Sequence, residues 1–148
     1  MIDRGVAIVS GGFDPIHKGH VRLINSASRY GEVLVILNSD PWLERKKGYS
    51  FMSWEEREEI LLSIRGVFEV VLAKDDDGTV CKSLREIAKD YGGDKLHFVN
   101  GGDRKNDNVP EVKVCKELDI KMIWGAGGGK IQSSSELVNR MKEHDKQE

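Results

Sequence analysis

Five short apolar runs, each followed by a segment with helical periodicity, constrain the fold of this chain more than any other feature. The second run, EVLVILN, is apolar on both faces, which is typical of a parallel strand covered by helices. Such an alternation predicts an α/β fold, a single Rossmann-like doubly wound domain over residues 1–148 with a five-stranded parallel sheet flanked by helices. The predicted strands are Val6–Ser10, Glu32–Asn38, Val67–Ala73, Leu96–Asn100 and Ile120–Trp124.

The helices are predicted from apolar spacing and from their capping residues. Ser53 and Glu56 in SWEE fit a capping box, and Thr79 is placed to cap the helix that ends at Gly92–Gly93. Residues 40–52 are polar and basic and are predicted as an irregular surface loop, and residues 143–148 as a frayed polar tail. The remaining predicted helices are Lys18–Tyr30, Val109–Leu118 and one from Ser133 to about Lys142.

Composition narrows the classes of function. The 148 residues carry a formal net charge of −2, which gives no electrostatic case for a nucleic-acid or membrane partner. No apolar stretch approaches the roughly 18 residues of a membrane helix, and the first residues lack the pattern of a signal peptide. Cys81 and Cys115 are not in a zinc-like spacing and are expected to be reduced thiols. A cytoplasmic location is expected.

The segment GGFDPIHKGH, between the first predicted strand and the first predicted helix, indicates an anion site. Gly11 and Gly12 would let a ligand approach the backbone, and the following helix N-terminus favours negative charge. His17 and His20 are three residues apart, so both imidazoles could donate to one phosphate, with Gly19 leaving room between them. Zinc ligation or a merely structural histidine pair are the alternatives. The segment is neither a P-loop nor GxGxxG.

Other polar loops follow the predicted strands, at the edge where parallel sheets bind ligands. Lys46 and Lys47 follow the second strand, and they could equally be a solvated charge pair. Ser133–Ser135 open the last predicted helix after GGGK, where they could bind phosphate or only cap the helix.

The motifs together resemble one superfamily over nearly the whole chain. GGFDPIHKGH resembles the GxFDxxHxGH motif of the nucleotidyltransferases that include the cytidylyltransferases and pantetheine-phosphate adenylyltransferase. NSDPWLERKKGYSFMSWEER resembles a stretch of heptose-1-phosphate adenylyltransferase domains and of glycerol-3-phosphate cytidylyltransferase. NGGDRK resembles the GGD loop of the former, and KIQSSSEL the serine-rich motif of the last helix, although Lys130 stands near the usual arginine and Gln132 interrupts the run.

The resemblance implies roles for individual residues. His17 and His20 would bind the triphosphate and stabilise the pentacoordinate α-phosphorus, and Lys46 or Lys47 would contact phosphate as the loop lysine. The acceptor would meet Asp40, Arg57 and Arg104, although Arg57 could instead form salt bridges with nearby glutamates. Trp42, Phe51 and Trp54 could line the acceptor pocket or pack the loop. The nucleotide-binding set would be Gly11, Gly12, Phe13, Asp14, Gly19, Asn100, Gly101, Gly102, Asp103, Lys130, Ser133, Ser134 and Ser135.

The implied reaction transfers a nucleoside monophosphate from a triphosphate to a small phosphorylated acceptor and releases pyrophosphate. Adenylyl transfer to a sugar 1-phosphate of the heptose type is the leading expectation, and glycerol-3-phosphate cytidylyltransferase is its rival. A nucleotide-binding module without turnover is the alternative of another class. Mg²⁺ with ATP or CTP is expected as co-substrate, with no metal site made by protein ligands alone, and a homodimer is the expected assembly.

Overall fold

The computed structural model describes residues 5–75, 77–101 and 110–127, and it confirms the predicted α/β class. No helix within these ranges is long and apolar enough to cross a membrane. The predicted last helix with Ser133, Ser134 and Ser135 lies outside the described residues, as do Gly102, Asp103, Arg104 and Lys130. The strands are β1 Val6–Gly11, β2 Glu32–Leu37, β3 Val67–Leu72, β4 Leu96–Gly101 and β5 Lys121–Ala126. The helices are α1 Lys18–Ala27, α2 Asp40–Lys47, α3 Trp54–Leu62, α4 Cys81–Asp90 and α5 Pro110–Glu117.

The five strands form one parallel sheet in the order β3-β2-β1-β4-β5. The chain moves outward from β1 in one direction through β2 and β3, and in the other through β4 and β5. The strand order therefore reverses between β1 and β4, and open α/β sheets bind ligands in the crevice outside the carboxyl ends of the strands at such a point.

Alternating side chains of the central strands feed two hydrophobic cores, one on each face of the sheet. Ile8 of β1 points into the core that contains side chains of α4 and α5, whereas Val9 points into the core that contains those of α1 and α3. Both side chains are fully buried. Burial on both faces explains why the central strands are apolar throughout, as the sequence predicted.

Helix α2 occupies residues 40–47 of the segment predicted as an irregular loop, so the prediction was wrong there, whereas residues 48–52 are irregular as predicted. The Ser39 hydroxyl accepts from the Trp42 N–H at 3.1 Å, Pro41 occupies the first turn, and Gly48 ends the helix with φ +87°. These are ordinary start and stop signals. Only Leu43 is buried among the eight residues, so the segment lacks the apolar periodicity on which the prediction relied.

The start of α4 differs from its prediction as well. Thr79 is not the cap, because Val80 occupies that position and offers no side-chain hydrogen bond. The buried carboxylate of Asp75 caps the helix instead, accepting from the N–H groups of Lys82 and Ser83 at 2.7 and 3.0 Å. At α3 the predicted start is confirmed, since the Ser53 hydroxyl accepts from the Glu56 N–H at 3.2 Å.

Candidate active site

The N-terminus of α1 is capped by its own two histidines. His17 is the N-cap residue, and its Nδ1 accepts from the Gly19 N–H at 3.1 Å. His20 completes the capping box, because its Nδ1 accepts from the His17 backbone N–H at 3.2 Å. The two rings stack with centroids 3.9 Å apart and an angle of 24° between their planes. Four consecutive residues therefore build a rigid imidazole pair at a positive helix end.

These hydrogen bonds define the protonation state of the pair. Since each Nδ1 is an acceptor, each neutral ring carries its proton on Nε2. Burial lowers the pKa of His17, and burial together with the charge of His17 lowers the pKa of His20 to about 3. Near pH 7 the site thus presents two neutral Nε2–H donors. A bound anion would find hydrogen-bond donors without a prior change of protonation.

The backbone of the first loop is packed tightly around this pair. The Phe13 ring lies against His20 with centroids 4.7 Å apart, and it is buried even though its φ of +49° is unusual for a non-glycine residue. A methyl group on Gly12 would lie 2.8 Å from Leu43 Cδ2, so a larger residue there would require the Leu43 side chain to shift. The contact between the Phe13 and His20 rings helps to hold the His20 side chain in position.

The two candidate lysines, which the sequence could not separate, differ in their contacts. Lys47 is partly buried, and its ammonium lies 2.7 Å from the Asp14 carbonyl oxygen and 3.1 Å from the Asp14 carboxylate. The ammonium of Lys46, an exposed residue, lies over the Trp42 ring, 4.7 Å from its centroid. Lys47 thus ties α2 to the first loop, whereas Lys46 rests on an aromatic face that it can leave.

Asp14 anchors the loop that follows α2. Asp14 is 1% exposed, and its carboxylate accepts hydrogen bonds from the Phe51 and Met52 N–H groups at 2.6 and 2.5 Å. With Lys47 as a third partner, the carboxylate oxygens face protein groups. The side chain thus shapes the loop, and the nucleotide contact predicted for Asp14 stays a prediction.

Arg57 is the centre of a buried network and does not reach solvent. Its guanidinium is fully buried and donates to the carbonyl oxygens of Gly12, Asn38 and Met52 at 2.7, 2.8 and 3.1 Å. It also pairs with the Asp40 carboxylate at 2.6 Å. The geometry gives no support to the acceptor contacts predicted for Arg57 and Asp40, since the two side chains bind each other and the backbone. They hold the first loop, the end of β2 and α3 together.

A cleft of about 530 Å³ opens beside His20, whereas His17 is not among the residues that line it. Of the predicted residues, the structure brings together Gly11, Gly12, Phe13, Asp14, His20, Lys46 and Lys47 along its walls. Trp42 also lines it, whereas Phe51 and Trp54 do not. Sequence reasoning missed the remaining lining residues, Ser10, Asn38, Leu43, Gly78, Thr79, Val80 and Glu111. The Asp-Gly turn at 77–78 after a strand end was the one available signal for this loop.

The predicted nucleoside residues on β4, Asn100 and Gly101, do not line this cleft. Asn100 is 4% exposed, and its amide lies 3.5 Å from the carbonyl oxygens of Phe98 and Ile123. Gly101 packs against Leu23 of α1. The nucleoside contacts predicted for both residues stay predictions. The lining of the cleft comes from the ends of β1 and β2, from α2, from the loop between β3 and α4, and from the first turn of α5.

Comparison with known proteins defines the class of this site. The profile of the cytidylyltransferase-like family matches residues 8–140. The bifunctional protein HldE of Aliarcobacter butzleri is 28% identical over 98% of this chain, and the FAD synthase of Methanobrevibacter smithii is 24% identical over 93% of it. The chain spans 28% of the length of that HldE protein and 91% of that FAD synthase.

A solved structure shows the same fold. The lipopolysaccharide core biosynthesis protein of Thermoplasma volcanium superposes with a TM-score of 0.62 at 16% identity, over 82% of this chain and 95% of that one. The family match, together with the histidine pair at the first loop, defines a nucleotidyltransferase. The chain belongs to the cytidylyltransferase-like family.

Proposed function

We propose that this chain transfers AMP from ATP to a sugar 1-phosphate of the heptose type and releases pyrophosphate. The neutral histidine pair at the start of α1 carries the proposal, because it offers two fixed donors where a triphosphate would meet the helix N-terminus. The HldE relative supports a heptose 1-phosphate acceptor. The resemblance of the loops after β2 and β4 points the same way.

The reaction needs no general base, because a phosphate acceptor is already an anionic nucleophile. One acceptor oxygen attacks the α-phosphorus, and the bond to the bridging oxygen of pyrophosphate breaks in line. The Nε2–H groups of His17 and His20 would donate to the oxygens on which negative charge develops. Lys46 would leave the Trp42 face and hold a phosphate group, while Lys47 keeps the first loop in place. Positioning and charge stabilisation together supply the rate enhancement.

Mg²⁺ enters this proposal as part of the nucleotide complex. Within the described residues, no group of three or more His, Cys, Asp or Glu side chains could hold a metal ion. The Asp14 carboxylate of the first loop is committed to Lys47 and to two backbone N–H groups. The ion would therefore take most of its ligands from the phosphates and water, as is usual for Mg²⁺, and it would neutralise phosphate charge. A cytoplasmic location, expected from the sequence, and a homodimer, implied by the resemblance, complete the proposal.

Pyrophosphate release with a matrix of nucleotides and acceptors tests the proposal. ATP and CTP are each combined with heptose 1-phosphate, glycerol 3-phosphate, phosphocholine and FMN, the last because an FAD-forming adenylyl transfer requires it. We expect release with ATP and heptose 1-phosphate. Preferential release with CTP and glycerol 3-phosphate would support the rival cytidylyltransferase. Triphosphate binding without release from any pair would support the non-catalytic module.

Variants His17→Asn and His20→Asn connect the activity to the pair. The asparagine oxygen can still accept the capping hydrogen bond, so the fold should be kept. Asparagine has no group at the position of the imidazole Nε2–H, so the contact of that group with phosphate should be lost. Each variant should lower kcat by on the order of 10²–10³, the scale for one oxyanion donor. His97→Asn on β4 is the matched control and should leave kcat unchanged. Equal kcat in all three variants would contradict the proposed role.

A further inference from the structure

Asn38 is a buried polar residue at the cleft that none of the proposed roles employs. It follows the last residue of β2, is 8% exposed and lines the cleft. Among the residues that the structure describes, its side-chain amide has no hydrogen-bond partner, and neither polar atom of the amide is sealed from solvent. The exposed part of the residue therefore includes the amide, which opens into the cleft. A ligand can bind the amide there without first breaking an internal contact.

The backbone holds Asn38 beside the glycines of the first loop. Its N–H donates to the Gly11 carbonyl oxygen at 3.0 Å, and its carbonyl oxygen accepts from Arg57 Nη1 at 2.8 Å. The same nitrogen of Arg57 donates to the Gly12 carbonyl oxygen at 2.7 Å. The amide thus extends from a fixed position next to the loop at which the phosphates are proposed to bind. Since the asparagine side chain is short, the group that it binds lies at or next to a phosphate.

A purely structural role does not account for this amide. Asparagine before a helix often caps it, accepting from a backbone N–H of the first turn. Helix α2 is instead capped by Ser39, whose hydroxyl accepts from the Trp42 N–H. Most of Asn38 is nevertheless buried, in a place that an apolar side chain of the same size would fill at lower cost. The amide is therefore better explained by a ligand than by the fold.

The amide adds a hydrogen-bond acceptor to a cleft whose other groups favour phosphate oxygens. Near pH 7 the free ring nitrogen of His20 donates, and the two lysines of α2 donate as well. The Asn38 amide can donate through Nδ2 and accept through Oδ1. An ionised phosphate offers no proton to Oδ1, so a ligand that uses the whole amide needs a donor close to its phosphate. A hydroxyl group on the carbon next to the phosphate-bearing carbon meets this requirement.

We propose that Asn38 determines specificity for the acceptor substrate by binding this neighbouring hydroxyl group. Its Oδ1 accepts from the hydroxyl group, while its Nδ2 donates to an oxygen of the acceptor phosphate. The inference rests on the proposed function, which makes the second ligand a phosphorylated acceptor. Specificity then depends on where a hydroxyl group stands relative to the phosphate, and not on how many hydroxyl groups the acceptor carries. The contact takes the place of those predicted for Asp40 and Arg57, which bind each other.

Two variants of Asn38 and one control test the contact. Asn38→Leu keeps the size of the side chain but removes the amide, and Asn38→Asp keeps its shape but turns a negative charge toward the acceptor phosphate. Asn25→Asp is the matched control, because Asn25 is an exposed residue of α1 that does not line the cleft. With the active acceptor of the matrix, both Asn38 variants should raise the acceptor KM about 10- to 100-fold, the effect of losing a hydrogen bond to a charged group.

The nucleotide KM distinguishes a contact with the acceptor from a general distortion of the site. It should change less than about twofold in both Asn38 variants, and both KM values should stay within that factor in Asn25→Asp. The midpoint of urea unfolding should be the same in Asn38→Leu as in the wild-type chain, since no described hydrogen bond of the fold uses the amide. A wild-type acceptor KM in Asn38→Leu, or equal rises for acceptor and nucleotide, would overturn the inference.

A cycle of changes in protein and ligand identifies the hydroxyl group. Calorimetric titration without nucleotide compares glucose 1-phosphate with 2-deoxyglucose 1-phosphate, which lacks the hydroxyl group next to the phosphate-bearing carbon. The wild-type chain should bind the deoxy compound about 3- to 10-fold more weakly, the effect of one neutral hydrogen bond. Asn38→Leu should bind the two compounds with equal affinity within about twofold. Equal binding of both compounds by the wild-type chain, or a deoxy effect that is unchanged in Asn38→Leu, would overturn the assignment.

The kinetic and binding measurements together separate the failure of this inference from the failure of the proposed function. A deoxy effect that depends on Asn38, with no pyrophosphate release from any pair of substrates, would sustain the contact and refute the transferase. Pyrophosphate release with an acceptor KM that is indifferent to both Asn38 variants would do the reverse. Absence of wild-type binding together with absence of release would overturn both.

Discussion

Replacement of Arg57 by methionine tests whether this side chain supports the site or contacts the acceptor. The variant keeps most of the buried apolar volume but removes the guanidinium. Three carbonyl oxygens and the Asp40 carboxylate then lose a donor at 2.6–3.1 Å. The carboxylate side chain is 30% exposed and can recruit water, whereas the network around Asn38 is buried. The cost should therefore fall mainly on the buried carbonyl oxygens.

The magnitude follows from the burial of the network. Removing one partner of a buried ion pair lowers the free energy of unfolding by about 3–5 kcal/mol. Because Asp40 is partly hydrated, we expect the lower end of this range, about 3 kcal/mol, for Arg57→Met. Arg57→Lys retains the charge but has three donors without the planar fork, so it should lose about 2 kcal/mol. Since small domains are stable by about 5–15 kcal/mol, both variants should still fold.

Urea unfolding at pH 7, followed by tryptophan fluorescence and by far-UV circular dichroism, measures these costs. Arg85→Met is the matched control, because its ion pair with Glu117 is about half exposed and should be worth no more than about 1 kcal/mol. A loss below 1 kcal/mol in Arg57→Met, equal to that of the control, would refute the argument. Unchanged stability with a raised acceptor KM would instead restore the acceptor contact that the sequence predicted.

Three further predictions concern the cleft. The pKa of His20 is about 3 in the folded chain but 6.5 in the unfolded chain, so acidification protonates the unfolded chain first and lowers the free energy of unfolding. When the pH is lowered from 7 to 5, the wild-type chain should lose about 2 kcal/mol more than His20→Asn in urea unfolding. Lys46→Gln should lower kcat/KM at least about tenfold without changing the free energy of unfolding, whereas Lys47→Gln should lower the free energy of unfolding by about 1–3 kcal/mol. If Lys46→Gln lowers the stability and Lys47→Gln lowers only kcat/KM, the two lysines have the opposite roles. Gly12→Ala should cost about 1–3 kcal/mol in the same assay through overpacking against Leu43, and no loss would show that Leu43 moves aside.

Features encoded by neighbouring residues were predictable from the sequence. The five strands follow from β-branched runs, and the start of α3 follows from Ser53 with Glu56. The placement of His17 and His20 together at the start of a helix was predictable too, because their spacing is a local property. Their capping geometry uses hydrogen bonds that span no more than three residues. Such features need no knowledge of the tertiary structure.

Features that depend on distant contacts were not predictable in the same way. Asp75 caps α4 from six residues before the first helical position, Cys81, so the nearby Thr79 was the more obvious candidate. Arg57 looks like a surface residue in an acidic stretch, and only the tertiary fold buries it beneath the first loop. Glu111 looks like an ordinary acidic residue in a first helical turn. Its position at the cleft depends on how α5 packs.

The Arg57 network has a consequence for how new members of this family could arise. It joins the first loop, the end of β2 and the start of α3 into one unit, which carries the residues proposed to act on the triphosphate. Gly78 and Thr79, which also face the cleft, make none of these hydrogen bonds. Substitutions at these two residues can alter the shape of the cleft without disturbing the histidine pair. Exchange of this short loop is therefore a route to new acceptors at little cost in catalytic power, in natural divergence or in the laboratory.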